Sequence, residues 1–444
     1  MIALTVYNLL LTFLSPLIYL YLLFRLSKGK EDGAHWGERW GDLSEAVRGA
    51  PVGPRIWVHA VSVGEVIAAA PVLRELRRRL PDAFILLSTT TLSGREVALK
   101  QSPPADSVVY YTIDFLPVVA RAHAAARADL ILLMEWEIWP NFLTQARRRG
   151  ARVAVLNGRI SDKGLRRGRY SGFFTGPGLA AVDVFAMQSA EDARRAVLVG
   201  ADPGRVRTVG NTKFDESATP LDSDEREALR ADLGIPADVP VWVCGSTRPG
   251  EEALIADALC VVLAGQPTLR LIVAPRHLDR ADEAAAAFEA AGFCVTRRSA
   301  AAREQPRGSA DAPTPAESPS VLLLDTFGEL ARVYAVADVA FVGGSLLPFG
   351  GHSVFQPLAQ GVPTLFGPFM NNQRDIAALA KGESVGFEVQ DATTLAAEVL
   401  EITRWSREER AQSTDRARGL IERNRGVAAR CVDLALELLE AKSR

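Results

Sequence analysis

Cysteine is scarce in this chain of 444 residues. The four present, Cys244, Cys260, Cys294 and Cys431, form no CxxC pair and show no metal-like spacing. That excludes a disulfide scaffold or a structural zinc site and is consistent with free thiols in a reducing compartment. The five histidines are isolated, and no HExxH occurs, so nothing marks a metal centre. An excess of either charge is missing too: 51 Lys and Arg against 53 Asp and Glu leave a net charge of −2. A global basic surface for nucleic acid is thereby excluded. No repeat of solenoid period is found.

What is present is globular. Hydrophobic residues make up 48% and charged residues 23%, enough apolar material for two cores and a length suited to two or three domains. Residues 1–24, MIALTVYNLLLTFLSPLIYLYLLF, carry no charged side chain. Such a run, if helical, is long enough for a hydrocarbon core of ~30 Å. A cleaved signal peptide would want basic residues first and a small-residue cleavage site; here Arg25, Lys28 and Lys30 follow the run instead. The reading is an uncleaved anchor over 1–30, spanning or embedded in one leaflet, with the rest of the chain in the cytoplasm.

From Arg55 the chain alternates short apolar runs (IWVHAVSV, FILLSTT, SVVYYTI, ADLILLMEWE, ARVAVLNGR) with helical stretches. This rhythm predicts a doubly wound parallel sheet over 31–218. After a polar break, a second α/β domain of similar rhythm is expected over 219–405. Residues 298–319, rich in Ala, Pro, Ser and charge, read as a flexible surface insertion within it. A last helix is expected over 406–444. The fold class is therefore α/β, two Rossmann-like domains facing a cleft, a shape suited to a nucleotide-carrying substrate.

The candidate chemistry sits at strand ends. In HAVSVGEV, Glu65 opens a helix just after a strand; it is either a first-turn acid favoured by the helix dipole or a general base. In MEWEIWPN, Glu135 and Glu137 follow the apolar strand LILLM and would share a face if the strand continued. Trp136 and Trp139 offer aromatic surface for a sugar or for packing. Lys213, in GNTKFD, is either a solvated lysine or a cleft residue. In the second domain GSTRPGEE, APRH, DTFGEL and the glycine-rich stretch Gly343 to Pro363 each follow a strand, and a helix is expected near Ser353. That stretch is not a GxxxxGK[ST] phosphate loop, nor a GxGxxG followed by a ribose-binding acid, which argues against a dehydrogenase. Basic runs at Arg74 to Leu80, Arg147 to Arg152 and Gly164 to Tyr170 read either as solvated helix faces or as a surface for anionic lipid.

Taken together and in order, these motifs resemble the 3-deoxy-D-manno-octulosonic acid (Kdo) transferases of lipopolysaccharide synthesis, nearly end to end. The resemblance implies the GT-B fold, an N-terminal membrane anchor at the inner membrane, and transfer of Kdo from CMP-Kdo to a lipid A precursor, with inversion and without a catalytic metal or other cofactor. It implies Glu65 as the base, with Glu135 and Lys213 stabilising the transition state. It assigns Pro275 and Arg276, then Phe327, Gly328 and Glu329, then Ser353, Val354, Phe355 and Gln356, to the CMP site. The last segment departs from the family's usual GGHNxLEP: here Ser353 replaces Asn and Gln356 replaces Glu. Gln keeps an acceptor oxygen but loses the charge. Two other readings therefore stand beside it: a GT-B enzyme with a different nucleotide sugar or acceptor, and a catalytically silent, membrane-anchored protein that binds a sugar nucleotide.

Overall fold

The computed structural model describes residues 2–29, 31–50, 53–100, 105–216, 219–300 and 320–443. The chain divides into two compact units, Met1–Glu216 with Asn424–Arg444, and Ser217–Arg423.

In the first unit the apolar runs become β1 (Arg55–His59), β2 (Phe84–Thr89), β3 (Ser107–Tyr110), β4 (Leu130–Met134), β5 (Arg152–Gly158), β6 (Val184–Met187) and β7 (Val206–Thr208). They form one parallel sheet in the order β3-β2-β1-β4-β5-β6-β7. Strands in such a sheet are covered on both faces, which is why β1, β2 and β4 are buried at every position. Alternation divides the side chains between the faces: Trp57 joins Leu86, Ile131 and Phe142 on one side, while Ile56 and Val58 join Leu132, Leu73 and Val432 on the other.

The second unit contains β8 (Val241–Thr247), β9 (Arg270–Pro275), β10 (Cys294–Arg297), β11 (Ser320–Leu323), β12 (Val339–Val342), β13 (Thr364–Phe366) and β14 (Gly386–Glu388). The sheet order is β10-β11-β9-β8-β12-β13-β14. In both sheets the strand order reverses beside the first strand, at β1/β4 and at β8/β12, and crevices at the carboxyl ends of such strands are the usual ligand sites of doubly wound folds.

Of the stretch 298–319 read as a flexible insertion, 301–319 lies outside the described residues. Its first two residues are tied down. Arg298 donates to the Asp232 carbonyl at 3.1 Å, and the Ser299 amide donates to Asp325 at 2.8 Å.

The segment from Arg407 is two helices, not one: Arg407–Arg423 ends in the second unit, and Val427–Ser443 packs in the first. Gly426, at φ +79°, turns the chain between them. Asp215 caps the last helix, accepting the amides of Gly426 and Ala428 at 2.6 Å each.

The N-terminal helix, Ile2–Ser27, is long and apolar enough to cross a membrane by length and composition, with none of its apolar window buried. It lies along the first unit. The Tyr7 hydroxyl donates to Asp114 at 2.9 Å, Asn8 and Asn141 exchange amide hydrogen bonds at 3.0 and 2.8 Å, and Tyr19 packs on Trp40.

The two-amide cap makes Asp215 a stability determinant. Asp215→Ala should lower the unfolding free energy by about 1–2 kcal/mol, read from denaturant midpoints at unchanged m-value.

Candidate functional site

In the first unit the candidate residues gather at the carboxyl ends of β1, β4 and β5. The Val63–Arg79 helix follows β1 directly, and Glu65 lies in its first turn. Its carboxylate turns back to accept the Val61 amide at 2.9 Å and the Ser62 hydroxyl at 3.1 Å. Glu65 is only 8% exposed. Burial, then the negative charges of Glu135 and Glu137, push its proton affinity up to about 8 against those two hydrogen bonds.

Glu135 takes the first position after β4 with φ +58°, a left-handed backbone that side chains rarely adopt. This break ends the alternation on which a shared face with Glu137 was expected. The charges nevertheless feel one another: burial, opposed by the Trp139 indole hydrogen bond at 2.7 Å and reinforced by Glu135, raises Glu137 to about 7. Asn157, at the end of β5, is also left-handed, at φ +54°. Its carboxamide oxygen accepts the Thr212 amide at 3.0 Å and so holds the turn that carries Lys213. The Lys213 ammonium is drawn below its ordinary proton affinity by burial and by Arg159, while Glu135 and Glu65 act the other way. Glu65, Glu135 and Lys213 thus share one electrostatic neighbourhood, with Arg159 as a further member. NGRIS was visible as a strand-end motif, but nothing in it singled out Arg159.

The aromatic residues separate by role. Trp136 packs on the core against Phe185, with centroids 5.8 Å apart. Trp139 remains 38% exposed. His59 is structural: it is fully buried, bonded to Ser88 and stacked on Tyr111, and burial holds its imidazole neutral, down to about 3. Most of the first basic run is spent on ion pairs, Arg74 with Glu216, Arg77 with Asp106, Arg78 with Glu75 and Arg79 with Asp433.

In the second unit the loops after β8 and β12 meet at the strand-order reversal. Their approach is backbone to backbone. A side chain at Gly343 would come within 2.6 Å of the Ser246 carbonyl oxygen, and Ser246 itself has φ +59°. Glu251, wholly buried, fastens the loops together by accepting the amides of Arg248, Gly344, Ser345 and Leu346 at 2.6–2.9 Å. From sequence Glu251 reads only as a first-turn acid. Its four amides come from two distant segments, so this role is visible only in the fold.

The same loops concentrate positive charge. Arg276, exposed at the end of β9, donates its amide to the Thr247 carbonyl at 3.0 Å. Arg248 bonds His277 at 3.0 Å, and its guanidinium lies 5.3 Å from the Phe349 ring centre. Burial and the nearby Arg276, Arg248 and His277 push the His352 imidazole down to about 4. The adjacent acids are engaged elsewhere: Glu251 by amides, and Glu252 by Thr247 and Arg280. Arg276 and Arg248 are the cationic side chains of these loops, beside a neutral His352, and Arg248 is one that the sequence did not single out.

The other expected nucleotide residues fall into three groups. Pro275 is buried at the end of β9. Phe327 is 93% exposed, Gly328 is left-handed at φ +89°, and Glu329 bonds the Thr326 hydroxyl. Val354 and Phe355 are buried, so their side chains face the core, while Ser353 and Gln356 are half-buried. The helix expected near Ser353 and the one after Glu329 are single turns, Phe355–Ala359 and Leu330–Val333. So few aligned peptides add little field, and the positive charge rests on side chains. Among the described residues no three His, Cys, Asp or Glu side chains gather as a metal site.

Residues 34–216 match the family described as 3-deoxy-D-manno-octulosonic-acid transferase (kdotransferase). The chain is 34% identical over 404 residues to the 3-deoxy-D-manno-octulosonic acid transferase of Bordetella pertussis, covering 88% of this chain and 89% of that protein. It is 29% identical over 436 residues to the enzyme of the same name from Haemophilus influenzae, covering 98% of each. In three dimensions it is similar to a glycosyltransferase from Rickettsia africae, with TM-score 0.60, 11% identity and coverage of 87% of this chain and 99% of that one. It is also similar to Anabaena HepE in complex with UDP-glucose, with TM-score 0.54, 15% identity and coverage of 87% and 99%.

The electrostatic coupling can be tested directly. The Glu65 carboxyl should titrate near pH 8, followed by carboxyl-region infrared difference spectra, and Glu135→Gln should move that titration to lower pH by removing a like charge.

Proposed function

Because the chain belongs to the 3-deoxy-D-manno-octulosonic acid transferase family and is a GT-B glycosyltransferase of Kdo, we propose that it moves Kdo from CMP-Kdo to a lipid A precursor with inversion at the anomeric carbon. Glu65 is the general base: it takes the proton of an acceptor hydroxyl as that oxygen bonds to the anomeric carbon and the bond to the CMP phosphate breaks. Glu135 stabilises the positive, oxocarbenium-like sugar, and Lys213 the negative charge that grows on the leaving phosphate. The observation that carries this reading is the Glu65 carboxyl, buried beside Glu135 at the β1/β4 reversal and raised to about 8. A carboxyl with that affinity accepts a hydroxyl proton far more readily than an ordinary one.

In the second unit Arg276 and Arg248 receive the nucleotide phosphate and take up the negative charge that grows on it as it leaves. Pro275, the Phe327–Glu329 turn and the Ser353–Gln356 segment contact the rest of the CMP; Val354 and Phe355 act through the backbone. The Ile2–Ser27 helix lies in the cytoplasmic leaflet of the inner membrane, which brings the enzyme to a lipid acceptor. Its hydrogen bonds to Asp114 and Asn141 favour a helix held along the first unit over one that crosses the bilayer.

Gln356 favours a second reading, a different nucleotide. Its half-buried amide accepts a ribose hydroxyl without the charge of Glu, a bond weaker by roughly 1 kcal/mol.

Purified protein incubated with CMP-Kdo and tetraacylated lipid A precursor should give a Kdo adduct by mass spectrometry. UDP-sugars yielding product while CMP-Kdo yields none would establish the second reading. Glu65→Gln should reduce turnover by ~10²–10⁴-fold, and full activity in that variant would remove Glu65 from its role. In the wild type kcat/KM should rise with pH and level off near pH 8, because the base works only after losing its proton.

A further inference from the structure

Between the N-terminal helix and the carboxyl ends of β2 and β3 lies a cavity of about 320 Å³, within the range of small-ligand pockets. Ile18, Leu22 and Arg25 of the helix form one wall, and Thr91, Thr112 and Ile113 the opposite one. Trp139, from the loop after β4, also lines it. We infer that this cavity receives one acyl chain of the lipid acceptor, an inference that rests on the transferase reading and gives its acceptor a binding site.

Three observations carry it. First, the charged groups around the cavity are already paired. Glu31 accepts from Arg25 and Arg39 at 2.8 Å each, and Asp114 accepts from Tyr7 and from the amides of Asn141 and Phe142. An occupant therefore meets apolar wall rather than an unsatisfied charge, which suits hydrocarbon and not a sugar phosphate. Second, the accessible lining is apolar: Ile18, Leu22, Ile113 and Trp139 contribute to it, while the Tyr111 and Thr112 hydroxyls are buried away from it. A hydrocarbon chain matches such a wall without losing a hydrogen bond. Third, the position joins lipid to chemistry. The helix wall has its other side exposed at Phe13, Leu17, Leu20 and Phe24. Trp139, which lines the cavity, donates its indole hydrogen to Glu137, whose charge is felt by Glu65. A chain held here keeps the head of its own lipid close to the base, which favours the acceptor over bulk phospholipid as occupant.

Leu22→Trp fills the cavity from the helix side, and Leu20→Trp makes the same change on the exposed side. With the acylated precursor, Leu22→Trp should raise KM about tenfold, the loss of a few buried methylenes, while Leu20→Trp should leave it unchanged. With an acceptor stripped of its acyl chains, both variants should match the wild type. Equal effects of the two variants, or an equal effect on the stripped acceptor, would overturn the inference. Binding is read separately. A precursor with a diazirine in one acyl chain should label the Thr112–Ile113 and Trp139 peptides, and phosphatidylglycerol carrying the same chain should label only the Ile2–Ser27 helix. Equal labelling of the inner peptides by phosphatidylglycerol, or no labelling there by the precursor, refutes the assignment. Inner labelling by the precursor without Kdo transfer would leave the cavity assigned and refute the transferase reading instead.

Discussion

Two carboxylates brought together out of water repel each other, and the first unit is built to hold them so. Glu65 and Glu135 stand at the ends of β1 and β4, paired neighbours whose register, Val58 against Leu132 and His59 against Leu133, is set by buried apolar side chains. With the strands locked, the carboxyls cannot relax apart. Burial first, and then that repulsion, raises the proton affinity of Glu65. The left-handed Glu135 belongs to the same arrangement: a strained backbone position, typically costing ~1–3 kcal/mol, persists only where the surroundings over-determine it. Here the Glu135 amide is tied to the Leu156 carbonyl at 3.0 Å.

The second unit uses a buried acid in the opposite sense. Glu251 also loses its water, but four amides replace that water, so its charge is spent on architecture. It holds two glycine-bearing loops closer than side chains would allow. One residue type thus serves two ends. A carboxylate with two donors has its proton affinity raised to about 8, and one held by four amides becomes a rivet.

The N-terminal helix reaches the same region through Asp114. That carboxylate accepts from Tyr7 on the helix and from the first amides of the Pro140–Arg148 helix, which follows the acidic loop. Burial raises its proton affinity to about 6 against those donors. The N-terminal helix and the acidic loop are therefore joined through one buried group.

The two-sheet architecture was legible in the sequence because parallel strands buried on both faces must be continuous apolar runs, and runs such as LILLM and FILLST have no other stable home. The positions of Glu65, Glu135 and Arg276 were legible for the same reason: residues just past such runs fall at the sheet's carboxyl edge. The single helix expected from Arg407 failed at Gly426, where the chain passes from one unit to the other. The shared face of Glu135 and Glu137 failed because φ at Glu135 reversed sign. What only the tertiary structure decided is what each charge experiences. The proton affinity of Glu65, the four amides on Glu251 and the paired groups around the cavity depend on neighbours distant in the chain. Electrostatic interactions and desolvation act through space, whereas periodicity is written along the chain.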